Sequence, residues 1–353
     1  MSFILKHIYD DSNMTFMEQI ETEKILNMYN LDVKNIEKVR SAYKINTDNG
    51  LFCLKEISKN EKKAMKSIKL MEYLKAHGFE NVASPYCNNT GSYITKNKDS
   101  AYYLTDWINA KEVSFNNTNH IIESAKLLAE FHNKAKGLDL DKIKIKNNFG
   151  KWPIIFMNKI NFMNDIKEKL LLNSNIKDFD NIYCQNIDYY IKEAQFALNI
   201  LKNSDYENIN RFYSKTNQIC HNSFYYQNIL VDYNNKYYLI DLESCVYDMP
   251  LRDIGKFIIR IMDKKENLWN FQLCKDILVN YNDKRPIKDN EYKVLLSFIV
   301  FPYKFYKIGR KKYIKLKKWK EERFFKKLKK VNYAREEKNE FIKQFINYYN
   351  III

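Results

Sequence analysis

Two stretches decide how this chain reads: "CHNSFYYQNIL" (220–230) and "YYLIDLE" (237–243). His221 opens a polar, turn-like run, and Asn228 closes it. The alternation in "NILVDYNNKYYLIDLE" (228–243) predicts a tight hairpin, because residues two apart share a strand face. A hairpin here brings Asn228 and Asp241 near each other, and both carry oxygen donors of the kind a hard ion such as magnesium prefers.

Outward from the hairpin, the first 108 residues read as helix, hairpin, helix, hairpin. "TFMEQIETEKILNMYNL" (15–31) has helical spacing, with Phe16, Ile20, Ile25 and Met28 near one face. "IEKVRSAYKINT" (36–47) is extended, "NTDNG" (46–50) is a turn, and "LFCLKEI" (51–57) is the return strand. "EKKAMKSIKLMEYLKAHGF" (61–79) is a helix closed by Gly78. "GSYITKN" (91–97) and "AYYLTDWI" (101–108) follow as strands around the polar turn "KNKDS". From residue 117 the chain is mainly helical, interrupted by the opening stretches and resuming after "YDMPLRD" (247–253). The domain expectation is an N-terminal α+β lobe over 1–108 and a helical lobe over 109–353. The second lobe would hold the hairpin (220–243) and a basic helical segment (304–349).

Phosphoryl transfer from a nucleotide needs few parts: a Lys on a small-lobe strand, a Glu to orient it, a loop acid, and oxygen ligands for magnesium. Lys55 sits within an apolar strand, where a charge is costly without a partner. Glu72 lies on the next helix at a spacing that could reach it. Where the loop acid belongs, the chain has Ser223.

Composition sets the outer limits. The 353 residues are 45% apolar, enough to bury a core, and only 7 Gly and 5 Pro favour long helices. Net charge is +16. Between Lys304 and Lys330 stand fourteen Lys and Arg against Glu321 and Glu322, a net of +12. That stripe is a solvated basic helix or a surface for an anionic partner. It carries no sequence-reading motif for nucleic acid. The six Cys show no zinc spacing and mostly sit in apolar runs, which predicts buried thiols. "MSFILKHIYDDSN" (1–13) lacks signal-peptide form, and "VLLSFIVF" (294–301) is far too short to span a membrane.

These residues resemble the aminoglycoside/choline phosphotransferase pattern His-Gly-Asp-x-x-x-x-Asn followed by Ile-Asp-x-Glu. More narrowly, the chain is similar to the CotS family of spore coat proteins through "GLFCLKEI", "NNFGKWPIIF" and "VFPYKFYKIGRKKYIKLKKW". The resemblance runs from about residue 15 to 349. It implies a two-lobed, protein-kinase-like α+β fold. It also implies Lys55 for the ATP phosphates with Glu72 as its partner, and Asn228 and Asp241 as metal ligands. Thr105, Asp106, Trp107 and Ile108 match the hinge facing an adenine, His221 a structural His, and Asp253 a brace for the loop. Other coat proteins are the implied partners, with synthesis in the mother-cell cytoplasm before deposition on the spore coat.

Ser223 stands at the family's catalytic Asp. A hydroxyl cannot accept a proton near neutral pH, and losing a general base removes about 10²–10⁴ in rate. Two readings stay open. One is a pseudokinase serving as a coat component, still able to take ATP and Mg²⁺, with its basic segment and tyrosines (27 in the chain) meeting other coat material. The other is an ATP-dependent phosphotransferase with an unusual base, acting on a small hydroxyl compound, a sugar or a coat protein. Glu243 could bind metal or cap the following turn.

Overall fold

The computed structural model describes residues 14–57, 61–97, 100–139, 145–173 and 177–353. The N-terminal stretch 1–13 and residues 98–99 of the "KNKDS" turn lie outside the described residues. The chain divides into two units.

The first unit comprises residues up to Val113, with Leu138–Ile145 and Tyr226–Cys245. Helix α1 (Phe16–Leu26) starts at a reciprocal cap: Thr15 Oγ1 accepts the Glu18 N–H at 3.2 Å, and Glu18 accepts the Thr15 N–H at 2.8 Å. Strands β1 (Val33–Val39), β2 (Ala42–Thr47), β3 (Gly50–Ile57), β4 (Pro85–Tyr86), β5 (Thr95–Asn97) and β6 (Ser100–Asp106) form an antiparallel sheet in the order β1-β2-β3-β6-β4, with β5 also on β6. Period-2 alternation turns Tyr43, Ile45, Phe52, Leu54, Tyr102 and Leu104 toward Ile25, Leu26 and Tyr29 in one buried cluster. Helix α2 (Glu61–Ala76) ends as expected at Gly78, whose φ is +78°. Gly78 N–H bonds to Lys75 O and Phe79 N–H to Leu74 O, both at 2.9 Å, which satisfies the last carbonyls.

The hairpin strands β9 (Ile229–Val231) and β10 (Tyr237–Leu239) join β7 (Lys111–Glu112) in a small sheet of the same unit. Val113 donates to Ile229 O at 3.1 Å, and the Asn81 side chain donates to Tyr237 O at 2.6 Å. These long-range bonds group the hairpin with the first unit, where the sequence alone assigns it to the helical lobe.

The second unit holds α3 (Thr118–Lys134), α4 (Trp152–Leu171), α5 (Asp178–Lys202), α6 (Tyr206–Lys215), α7 (Pro250–Met262), α8 (Phe271–Lys284), α9 (Asp289–Val300), α10 (Tyr303–Gly309), α11 (Glu321–Tyr333) and α12 (Arg335–Tyr348). The short strands β8 (Ile219–Cys220) and β11 (Val246–Tyr247) pair antiparallel. Gly255 lets α7 approach α9: a Cβ there would stand 3.3 Å from Leu295 Cδ1 and from Phe298 Cβ.

Three expectations change here. The basic segment is not one helix. After α10 comes a π-helical turn (Arg310–Ile314), and 315–320 is non-helical before α11. Lys315, Lys317, Lys318 and Lys320 crowd like charge into that gap, which disfavours a continuous helix. Many tyrosines belong to the core rather than a contact surface; Tyr183 and Tyr190 stack on Phe305 at 4.3 and 4.0 Å. Cys220, Cys245 and Cys274 are buried as anticipated, but Cys87 is exposed. Among the described residues no helix is long and apolar enough to cross a membrane.

Candidate functional site

In the first unit Lys55 occupies the face of β3 opposite Phe52 and Leu54, paired in register with Tyr103. Its Nζ lies 2.7 Å from Glu243 Oε1 and 3.8 Å from Asp241 Oδ1. Tyr103 OH donates to the same Glu243 oxygen at 3.3 Å. Asp241 adopts a left-handed backbone (φ +63°), which Asp tolerates better than most residues, and immediately precedes the short turn Leu242–Ser244. That turn points both carboxylates at one ammonium. Burial opposes the Lys55 charge, yet Tyr103, Glu243 and Asp241 outweigh it and hold the ammonium above its ordinary value. Burial likewise pushes the Asp241 carboxyl up, partly offset by Lys55.

Asn228 is buried at the end of a short 3₁₀ turn (Tyr226–Asn228). Its Nδ2 lies 3.4 Å from Asp241 Oδ2, and its carbonyl accepts from Ile240 N–H at 3.0 Å. The structure thus brings together Lys55, Asn228 and Asp241, and adds Glu243.

Glu72 is not among them. The buried side of α2 runs through Ala64, Ser67, Ile68, Met71 and Leu74, and Lys66 and Leu70 are buried beside it. Glu72 falls one residue past Met71, about 100° around the helix, and faces outward. It accepts a hydrogen bond from Tyr93 OH. The α2 side chain that does reach the site segment is Lys66, which the sequence reading missed. Lys66 Nζ donates to Glu243 O at 2.5 Å and Cys245 O at 2.9 Å, and burial draws its pKa down. The available signal was its i, i+4 spacing from the apolar Leu70, which is buried with it.

The four hinge residues end β6 and follow it. Thr105 is buried and donates to Asp106 O at 3.1 Å. Asp106 N–H bonds to Ser84 O and Trp107 N–H to Leu51 O, both at 3.0 Å. The Asp106 carboxylate accepts from Ser84 N–H and Tyr86 OH. Lys44 lies 5.7 Å from the Trp107 ring, and Ile108 O accepts from Ala110 N–H at 2.9 Å. Two hinge N–H groups are therefore committed within the unit.

The loop beginning at His221 belongs to the second unit. His221 is fully buried between Phe131 and Phe224. Its Nδ1 faces the Ser223 N–H at 3.2 Å. Asn222 takes the left-handed conformation (φ +62°), which Asn accepts more readily than most side chains. Its N–H bonds to both Asp253 oxygens, at 2.9 and 3.1 Å, so Asp253 does hold the loop. Asp253 is buried. Burial opposes its charge, but His132, Lys256 and His221 outweigh this and hold the carboxyl far below the usual range. Lys256 donates to Asn222 O and, at 2.7 Å, to Asn222 Oδ1; Arg260 donates to Phe224 O. Burial, then Arg252 and Arg260, bring the Lys256 ammonium down to about 7. Neither Lys256 nor Arg260 was singled out from sequence, where a helical cation reads as surface.

His132, Cys220 and Asp253 also lie close enough to share an ion. Their polar atoms are already engaged: Cys220 Sγ with Asp248 O, and His132 with Tyr281 OH at 2.7 Å and Asp253 at 3.4 Å.

A family model described as spore coat putative kinase YutH matches residues 22–345. Spore coat protein S of Bacillus subtilis (strain 168) is 24% identical over 344 residues, covering 95% of this chain and 96% of that protein. Among solved structures, an aminoglycoside phosphotransferase from Alicyclobacillus acidocaldarius matches with a TM-score of 0.82 at 16% identity, over 93% of this chain and 96% of that one. Spectinomycin phosphotransferase, solved with ADP and spectinomycin, matches at 0.62 and 14%, over 93% and 98%. At these identities the structural likeness shows the fold: a two-lobed, kinase-like α+β architecture with a small antiparallel sheet and a mainly helical remainder.

Proposed function

This chain belongs to the spore coat putative kinase family, and from that premise we propose that it is a coat component with a retained nucleotide–metal site and crippled phosphoryl transfer. The observation that carries the reading is the convergence of Lys55, Glu243, Asp241 and Asn228 within one unit. Lys55 supplies a fixed positive charge for phosphate oxygens. The Asn228 amide oxygen and the Asp241 and Glu243 carboxylates form an all-oxygen donor set, which fits a hard divalent ion. A bound Mg²⁺ would neutralise phosphate charge there. Lys66 fixes the backbone that presents both carboxylates. With Asp106 and Trp107 N–H engaged, an adenine would meet the hinge beyond Trp107.

Ser223 leaves the loop without a carboxylate base. The frame around it is nonetheless kept, with His221, Asn222 and Asp253 bonded as described. A fold kept for binding and assembly accounts for both facts. Spore coat protein S is by name a coat protein, which supports the spore coat as the localisation for this chain; synthesis in the mother cell belongs to the same reading. The exposed Lys315, Lys317, Lys318 and Lys320 offer an anionic coat partner a contact surface.

Thermal-shift titration with ATP, with and without Mg²⁺, tests the site. Stabilisation that needs Mg²⁺ and is lost in Lys55→Met supports it; no nucleotide effect at all overturns it. One observation favours the second reading, an active phosphotransferase. Lys256, near neutrality and bonded to Asn222 beside Ser223, is an amine that could take a proton. ATP turnover abolished by Lys256→Met would support that reading over the pseudokinase.

A further inference from the structure

The two stretches that set this chain apart from phosphotransferases at large, "NNFGKWPIIF" and "VFPYKFYKIGRKKYIKLKKW", take no part in the nucleotide site. Within the second unit they converge on one helix. Arg252 of α7 lies with its guanidinium carbon 4.7 Å from the Trp152 ring, 4.4 Å from Tyr303 and 5.5 Å from Phe298. Lys159 of α4 sits 5.8 Å from Trp152, 5.7 Å from Tyr303 and 5.6 Å from Tyr306. Lys307 of α10, exposed to solvent, adds a third cation that senses Arg252 and Arg260.

This gathering has more positive than negative charge. Among the described residues, Lys159, Arg252 and Lys307 form no ion pair. The nearby carboxylate, Asp248, is buried and spent on other donors: Trp152 Nε1 at 2.8 Å, Asn148 Nδ2 at 2.9 Å and Met249 N–H at 2.9 Å. Burial raises its pKa to about 6 while Arg252 favours its charge, so near neutral pH it supplies one negative charge to three cations. Arg252 is 8% exposed, yet its Nη1 has no hydrogen-bond partner among the described residues, and neither does the buried Tyr303 hydroxyl. An uncompensated buried guanidinium nitrogen is costly, and an ion or an ordered water commonly satisfies such a group. Burial, then Arg252 and neighbouring lysines, lower the Lys159 ammonium to about 7, as expected of cations crowded without an anion.

We propose that Arg252, Lys159, Lys307 and the Tyr303 hydroxyl form a binding site for a phosphate-class oxyanion, separate from the nucleotide site. The guanidinium fork suits the tetrahedral oxygens, the hydroxyl adds a neutral donor, and Lys307 at the exposed rim draws the anion in. The aromatic rings of Trp152, Tyr303 and Phe298 pack around Arg252 and leave it partly dehydrated, which strengthens its pull on an anion. The proposal does not depend on whether Ser223 supports transfer.

The test is calorimetric titration of the full chain with inorganic phosphate and, separately, with glycerol 3-phosphate, at ionic strength held constant with chloride. Saturable binding is expected. It should fall at least tenfold in Arg252→Met and about threefold to fivefold in Lys307→Gln, and persist in Lys55→Met. Lys307→Gln, at an exposed position, keeps the test valid if Arg252→Met fails to fold. Equal affinity for both probes identifies free phosphate as the ligand; tighter binding of the ester identifies a phosphorylated compound. Loss of binding in Lys55→Met would assign the anion to the nucleotide site and overturn the proposal. So would binding unaffected by Lys307→Gln, an adventitious ion only, or acetate binding as well as phosphate.

Discussion

Replacing Glu243 by Gln removes one charge from the nucleotide site while keeping the side chain's size. The Glu243 oxygen stands 2.7 Å from Lys55 Nζ and is about a quarter exposed, at 28%. A phosphate in ion contact with Lys55 would therefore lie about 5–6 Å from that oxygen, and at an effective dielectric near 20 the repulsion per unit charge is roughly 3 kcal/mol. Solvent and salt reduce this to about 1–2 kcal/mol. Metal-free ATP should then bind roughly 5- to 30-fold tighter to Glu243→Gln than to the native chain. With Mg²⁺ the sign reverses, because the lost carboxylate is also a metal donor. The benefit that Mg²⁺ gives to ATP affinity should shrink by more than about tenfold. Calorimetric titration of ATP in EDTA and in excess Mg²⁺, on both proteins, reads the two effects directly. If the variant weakens ATP equally in both conditions, Glu243 merely orients Lys55. If neither affinity changes, phosphates do not approach Lys55 and the site assignment fails.

Other expectations follow from the packing and the charges. Lys159 titrates at about 7 when folded and ordinarily at 10.5, so the unfolded chain binds more protons between those values. The penalty is fully present below pH 7 and is relieved as pH rises toward 10.5. Lys159→Met should therefore stabilise the fold at pH 6 by a few kcal/mol and by clearly less at pH 9.5, as read by urea unfolding; an equal effect at both would refute the dehydration argument. Gly309→Ala places a methyl on the Tyr183 hydroxyl, which is locked by the stack on Phe305. The expected cost is about 1–3 kcal/mol, and an unchanged melting temperature would show that Tyr183 yields.

Legibility from sequence followed the range of the interactions. Asn228 and Asp241 were readable because a short hairpin joins them and its alternation is local. Lys55 was readable because a charge in an apolar strand demands a partner. The partner itself was misread: Glu72 had the right spacing, but Met71 and Leu74 set the phase of α2 and turn it outward. Glu243 reaches Lys55 only because Asp241 adopts a left-handed backbone, and nothing in "LIDLE" announces that. The basic stripe was visible in composition, whereas its division between the 315–320 run and Lys307 of α10 depends on where α10 ends. Arg252 and Lys159 stand on helices, and no local pattern sets them apart from other helical cations. Their aromatic surroundings come from stretches far apart in the chain, and only the fold brings them together.

ADP release from Mg·ATP, measured for the native chain beside Asp241→Ala under conditions where nucleotide binding is saturated, tests the central claim most directly. The account predicts that the native chain binds Mg·ATP yet releases ADP no faster than Asp241→Ala. Release at about 1–100 s⁻¹, ordinary for kinases, that is abolished by Asp241→Ala would contradict it.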